Sequence, residues 1–199
     1  MGALIMTHSD DAGLVLPPKL APYQVVIVPI YKGDEQLKAV SAVALQVKRE
    51  LEELGVSVKF DDRDTHKPGW KFAEYELKGV PLRLALGNRD LENQTIEIAR
   101  RDTMEKETFQ ISDIGNKVVD LLDKIQKNLY DKADTFRKEN TFTANTFDEF
   151  KDYIKEGGVV FAHWDGSCET EEKIKKQTKA TIRSIPQDIS NEEGVCIYS

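Results

Sequence analysis

The segment Gln24 to Ile30, QVVIVPI, is an unbroken and largely β-branched apolar run, the pattern of a strand covered on both faces in a helix-flanked sheet. After it, Leu37, Val40, Ala44, Val47, Leu51 and Leu54 recur at alternating spacings of three and four. That predicts a helix with one core-facing stripe, capped by Asp34 and ended by Gly55. Val56 to Phe60 returns as a second strand, which makes a βαβ unit with a right-handed crossover. Gly69 to Lys78 reads as a short amphipathic helix stopped at Gly79, and Val80 to Leu86 as a strand. Thr95 to Ala99 is a further strand, with Glu107 to Ile111 pairing to it across a charged turn. From Ser112 a long helix runs to about Lys138, its stripe formed by Val118, Leu122, Ile125, Leu129, Ala133 and Phe136.

Beyond that helix the pattern changes scale. Thr146 and Glu149 make a capping box ahead of FDEFKDYIKEG, with Gly157 and Gly158 as the stop. Val159 to Ala162 reads as a buried strand. Glu169 to Lys176 places acids in its first turn and lysines in its last, as a helix dipole favours, and Ala180 to Ile185 reads as another strand. The expected class is α/β: a mixed sheet of about five strands flanked by helices, then a smaller α+β domain. The expected division is a tail and linker over 1–22, a first domain over 23–111, a connecting helix over 112–140 and a second domain over 141–199. Within the linker, Pro17, Pro18 and Pro22 hold the extended geometry of a semi-rigid spacer.

Composition narrows the setting. At 199 residues, 40% apolar and 32% charged, the chain has no apolar run near the roughly 20 residues of a membrane span and no secretory signal, so we expect a cytoplasmic protein without a membrane partner. Two distant cysteines do not form a disulfide framework. A net charge of -7 excludes bulk electrostatic coating of nucleic acid, so any RNA contact needs a local patch. His8, His66 and His163 are scattered and lie in no hydrolase or metalloprotease signature, and neither a P-loop nor a dinucleotide fingerprint is present. No catalytic residue is therefore nominated.

The densest stretch is Asp61 to Asp90, DDRDTHKPGWKFAEYELKGVPLRLALGNRD, with six cationic and six anionic side chains interleaved with Trp70, Phe72, Tyr75 and Leu77. One side of it must pack while the other is offered to a partner. This stretch, LVLPPKLAP (Leu14 to Pro22), EIARRDT (Glu97 to Thr103) and KATIRSIP (Lys179 to Pro186) follow in order. Together they resemble the anticodon-binding domain of prolyl-tRNA synthetases, in the lineage with an extra C-terminal domain. The resemblance implies a class II anticodon-binding fold and the anticodon loop of tRNA(Pro) as partner. It implies a proline-tRNA ligase as the whole enzyme, a homodimer through its catalytic domain. ATP and magnesium belong to that domain, whose third signature motif is closed in the family by residues like Met1 to Asp11, with the ATP-binding arginine just upstream of Met1, so no cofactor and no adenylate formation are expected of this chain. The family also continues past Ser199 to a terminal tyrosine.

Proline anticodons carry guanine at their second and third positions. The Watson-Crick edge of guanine offers two adjacent donors to a carboxylate, and its O6 and N7 accept the fork of an arginine. Glu76 and Arg83 supply those chemistries and match family residues that contact the anticodon; the plainer reading is a salt bridge between them. Arg63 and Lys71 are candidate phosphate contacts or helpers, and Arg89 with Asp90 a second pair at the rim. Many relatives hold zinc on four cysteines of the C-terminal domain. The matching positions here are Asp165, Thr170, Cys196 and Ser199, with Cys168 displaced, so a zinc-free fold is expected. Two other function classes fit more loosely: a stand-alone anticodon-binding-like module without catalysis, and an α/β domain holding a small ligand at its strand ends.

Overall fold

The computed structural model describes residues 2–187 and 193–199; residues 1 and 188–192 lie outside the description. The chain divides into two compact units, Met1–Ala133 and Asp134–Ser199.

In the first unit, helix α1 (Gly2–His8) precedes strand β1 (Val25–Ile30), helix α2 (Asp34–Glu53), strand β2 (Val58–Phe60) and helix α3 (Pro68–Leu77). Strand β3 (Leu82–Gly87), the short helix α4 (Asn88–Asn93), strands β4 (Thr95–Arg100) and β5 (Lys106–Gln110) and the long helix α5 (Ile114–Glu139) follow. The five strands form one sheet in the order β2-β1-β3-β4-β5, with β1 parallel to both β2 and β3, and β4 antiparallel to β3 and β5. This is the mixed five-stranded sheet that the apolar pattern predicts.

Alternation along the strands divides the core in two. Val25 and Ile27 of β1, Leu82, Leu84 and Leu86 of β3, and Ile96 and Ile98 of β4 pack with Val40, Ala44, Val47 and Leu51 of α2 and with Ile114, Val118, Leu122 and Ile125 of α5. On the opposite face Val26 and Val28 meet Tyr75, Val80 and Phe72, so that side is covered by α3. The period of two therefore turns Arg83, Ala85, Glu97 and Ala99 toward the α3 face, opposite the leucines and isoleucines that neighbour them in sequence.

Several expectations are corrected here. Asp34 does not cap α2: Gly33 occupies the cap with φ 93, and Asp34 starts the helix, where its charge meets the positive end of the dipole. The α5 stripe gains Leu121 and stops before Phe136, which is 69% exposed because the sheet it packs on has ended. The proline-rich linker is not a free spacer at its start. Val15, Pro17 and Pro18 are buried, Leu14 N–H donates to Leu77 O at 3.0 Å and Leu16 N–H to Gly79 O at 3.1 Å.

The second unit contains strand β6 (Thr141–Thr143), unanticipated because it is only three residues long, then helix α6 (Phe147–Glu156), strand β7 (Val159–Phe161) and helix α7 (Cys168–Thr178). β6 and β7 pair in parallel. The capping box forms as read: Thr146 Oγ1 accepts from Glu149 N–H at 3.3 Å, Glu149 Oε2 accepts from Thr146 N–H at 3.2 Å, and Gly157 ends α6 with φ 92. β7 is not buried, since Val159 and Phe161 are exposed on a two-stranded sheet. Ala180 to Ile185 forms no strand. A small core of Ala144, Phe150, Ile174 and Ile197 holds this unit.

Gly79, just past α3, is a tight backbone position. Its φ is +72, and an added Cβ would lie 2.7 Å from the carbonyl carbon and oxygen of Leu14. Gly79→Ala should cost about 1–3 kcal/mol through left-handed strain and displacement of the Leu14 backbone, read as a lower urea midpoint with an unchanged slope.

Candidate functional site

Asp61 follows β2 directly, its N–H donating to Ile27 O at 3.0 Å as a last rung of the ladder. Its side chain is 2% exposed and gathers three partners. Arg63 grips it with two bonds, Nε to Oδ1 at 2.8 Å and Nη2 to Oδ2 at 2.7 Å. The Tyr75 hydroxyl donates to Oδ2 at 3.0 Å. Lys71, itself 1% exposed, donates Nζ to the Asp61 carbonyl at 2.9 Å and lies 3.6 Å from Oδ1. Burial alone would raise the Asp61 carboxyl, but the Arg63 fork, the Tyr75 hydroxyl and the Lys71 charge outweigh it and hold it well below the usual range. Burial, with the Asp61 carboxylate beside it, drives the Tyr75 hydroxyl upward.

This placement revises two nominations. Lys71 cannot serve as a phosphate contact, because its ammonium is enclosed between α3 and the end of β2. Arg63 is half-exposed, yet its fork is committed to Asp61 and Glu74, so its role is to clamp the loop of residues 61–68 onto α3. Interleaved charge and aromatic residues in sequence could not distinguish such an internal network from a ligand surface. Asp90 is likewise structural, its Oδ2 accepting from Gly87 N–H at 2.7 Å to open α4, while Arg89 stays exposed.

Arg83 is different. Its position on β3, facing α3, leaves it 4% exposed, with its guanidinium carbon 3.7 Å from the centroid of the Phe72 ring. None of its three guanidinium nitrogens has a hydrogen-bond partner among the described residues. Among the described residues its ion pair is to Glu97 Oε1 at 3.5 Å, not to Glu76 as the plainer reading has it. Burial pulls the guanidinium pKa down, opposed by the charges of Glu97 and Glu76. The site thus comprises a flat cation stacked on an aromatic ring, its in-plane donors unpaired, with Glu76 from α3 and Glu97 from β4 beside it. Glu97 was missed in sequence. The signal was present in TIEIAR, where alternation puts it on the face opposite Ile96 and Ile98, and the register sets it across from Ala85, diagonal to Arg83.

In the second unit the four positions matched to zinc ligands do converge, but on a carboxylate. Asp165 Oδ1 accepts from Ser167 N–H at 2.9 Å, and its Oδ2 from Thr170 Oγ1 at 2.7 Å and Ser199 Oγ at 3.1 Å. The Ser167 amide, then Thr170, hold the Asp165 carboxyl at about 2. Burial would raise the Cys196 thiol, but hydrogen bonding to Ser199 and the neighbouring amides lowers it. One thiol, one carboxylate already accepting three bonds and two hydroxyls do not fit the Cys/His set of a structural zinc site. Among the described residues no three His, Cys, Asp or Glu side chains gather as a metal site.

Two outcomes follow from this geometry. Asp61→Asn strips the buried Lys71 of its counter-charge and should destabilise the first unit by about 3–5 kcal/mol at pH 7. Because the Asp61 carboxyl is depressed in the folded state, its stabilising effect is present above about pH 4 and lost as pH falls. The gap between wild-type and Asp61→Asn unfolding curves should therefore narrow progressively below that pH. In the second unit, a chelator should leave thermal unfolding unchanged while Asp165→Ala lowers it, measured by the near-ultraviolet signal of its aromatic residues.

Against known proteins, residues 24–121 match the family model described as anticodon binding domain, and residues 147–199 the one described as prolyl-tRNA synthetase, C-terminal. Proline--tRNA ligase of Porphyromonas gingivalis is 61% identical over 199 residues, covering 100% of this chain and 40% of that protein. The Bacteroides fragilis enzyme of the same name is 61% identical over 203 residues, covering 100% of this chain and 41% of its own length. A crystal structure of prolyl-tRNA synthetase from Cryptosporidium parvum, complexed with L-proline and AMP, superposes with a TM-score of 0.83 at 40% identity, over 89% of this chain and 38% of the other. The chain thus spans about 40% of the length of the curated relatives it matches. No helix among the described residues is long and apolar enough to cross a membrane. With both of its units matched and its sheet superposed, this chain belongs to the prolyl-tRNA synthetase family, of which it carries the anticodon-binding and C-terminal regions.

Proposed function

We propose that this chain recognises the anticodon loop of tRNA(Pro), as the tRNA-reading part of a class II proline-tRNA ligase. Ligation of proline with ATP and magnesium is assigned to the whole enzyme, which we take to be a cytoplasmic homodimer, and no residue of this chain is given a catalytic role. The observation that carries the reading is Arg83, buried against Phe72 with only a loose ion pair to Glu97 and no hydrogen-bond partner for its nitrogens among the described residues. A buried guanidinium without partners is costly, and a ligand that supplies acceptors relieves that cost.

The charges indicate which ligand. Arg83 with Glu76 and Glu97 gives a formal charge of -1, which disfavours a phosphate and suits a neutral base presenting both donors and acceptors. Guanine does so: O6 and N7 accept the arginine fork, while N1–H and the amino group donate to a carboxylate. Phe72 supports the plane of the fork and provides the aromatic surface on which unpaired bases stack. Glu76 is the nominated carboxylate reader, and Glu97 is the counter-charge that keeps Arg83 in place when no base is bound.

The test is binding of anticodon stem-loops with guanine or adenine at the second and third positions. Arg83→Ala should weaken the guanine loop by about tenfold or more, since one bidentate contact discriminates by about 1–3 kcal/mol. It should also erase the preference for guanine while leaving the salt slope unchanged, because no phosphate contact is removed. Glu76→Ala should do the same. If both variants keep the wild-type preference, the assignment is wrong.

A further inference from the structure

Arg101 lies just past β4, and its side chain is 1% exposed. Unlike Arg83, it is fully engaged. Nε donates to the Glu76 carbonyl at 2.8 Å, Nη1 to Asp10 Oδ2 at 2.7 Å, and Nη2 to Asp10 Oδ1; its backbone N–H donates to Pro81 O at 2.9 Å. One side chain therefore joins a residue 91 positions earlier to the last turn of α3, 25 positions earlier.

That turn is held from outside at two more points. Leu14 N–H donates to Leu77 O and Leu16 N–H to Gly79 O, so residues 10–16 form a strap across the end of α3. The strap lies backbone to backbone. A Cβ at Gly13 would sit 2.7 Å from Leu77 Cα, and one at Gly79 2.7 Å from the Leu14 carbonyl. Asp10 also folds the start of the strap, accepting from Ala12 N–H at 3.0 Å. The carbonyls at a helix end have no partner within the helix, and a cation there is favoured by the dipole, so Arg101 stabilises this end in its position. Glu76 belongs to that turn, and its carboxylate moves with it.

We propose that Arg101, locked by Asp10, is a positioning residue for Glu76: it sets the place of the carboxylate beside Arg83, so that engagement of the strap of residues 10–16 tunes the discrimination of guanine. This rests on Glu76 and Arg83 being the base readers. Arg101 itself touches no base. Asp10 is about half exposed, so its substitution leaves the core intact.

The experiment compares the 199-residue chain with Asp10→Ala, Asp10→Glu, Arg101→Lys and Glu76→Ala, measuring affinity for the guanine and adenine stem-loops over a range of salt, with thermal unfolding alongside. Asp10→Ala and Arg101→Lys should lower the guanine-to-adenine affinity ratio about threefold to tenfold, part of what a lost bidentate base contact would remove. The affinity for the adenine loop and the salt slope should not move, and Asp10→Glu, which keeps the ion pair, should restore the ratio. A wild-type ratio in Asp10→Ala and Arg101→Lys, with the ratio lost in Glu76→Ala, overturns the positioning role alone. An equal loss of affinity for both loops also overturns it, as the mark of a merely structural clamp. A wild-type ratio in Glu76→Ala overturns the underlying assignment of the base reader, and the positioning role with it.

Discussion

The buried Asp61 carboxylate is the interaction on which the first unit's α3 face depends. A charge removed from water is tolerated only where hydrogen bonds and opposite charge replace the lost solvation. Arg63, Tyr75 and Lys71 do so here, and two of the three come from α3. The result ties the end of the edge strand β2, and through it β1, to a helix of ten residues that would not be stable alone. Phe72 and Glu76 are carried on that helix, so the candidate site inherits its geometry from the Asp61 cluster. The charge density of Asp61 to Asp90 divides accordingly into an internal frame and a smaller exposed remainder.

Two buried arginines within a few ångströms of α3 are treated in opposite ways. Arg101 has acceptors for its fork and joins the strap, β4 and the helix end. Arg83 has an aromatic face and a loose ion pair, with its nitrogens otherwise unpaired. The first pattern is that of a structural arginine, satisfied within the fold. The second leaves hydrogen-bonding capacity unused within the fold, the departure from complete internal satisfaction that functional sites tend to show and on which the proposed reading rests. The second unit repeats the structural pattern with a carboxylate: Asp165 collects an amide and two hydroxyls where relatives are expected to hold a metal.

Periodicity alone determined much of this protein. The β1 run, the α2 and α5 stripes and the capping box at Thr146 required only local pattern, because apolar spacing and cap chemistry act within a few residues. The order of motifs also carried the family. Short or uncommitted segments were not legible: β6 has three residues, and Ala180 to Ile185 has strand-forming residues that join no sheet. Strand formation is a contract with a partner, which local sequence does not contain.

The site shows the same division. Sequence could nominate Glu76 and Arg83, because their types suit guanine and they stand in a motif. It could not show that Arg63 and Lys71, which carry the same charge as Arg83 in the same stretch, are held inside the fold. Alternation in TIEIAR gave the face of Glu97 but not its neighbours, and nothing local marked Asp10 or Arg101; these reach α3 only once β4 has paired with β3 and the strap has crossed the helix end. A charged side chain becomes a frame or a site according to which partners desolvate it and whether they satisfy its hydrogen bonds. Those partners arrive from segments as far as 91 residues apart, so only the tertiary structure decides.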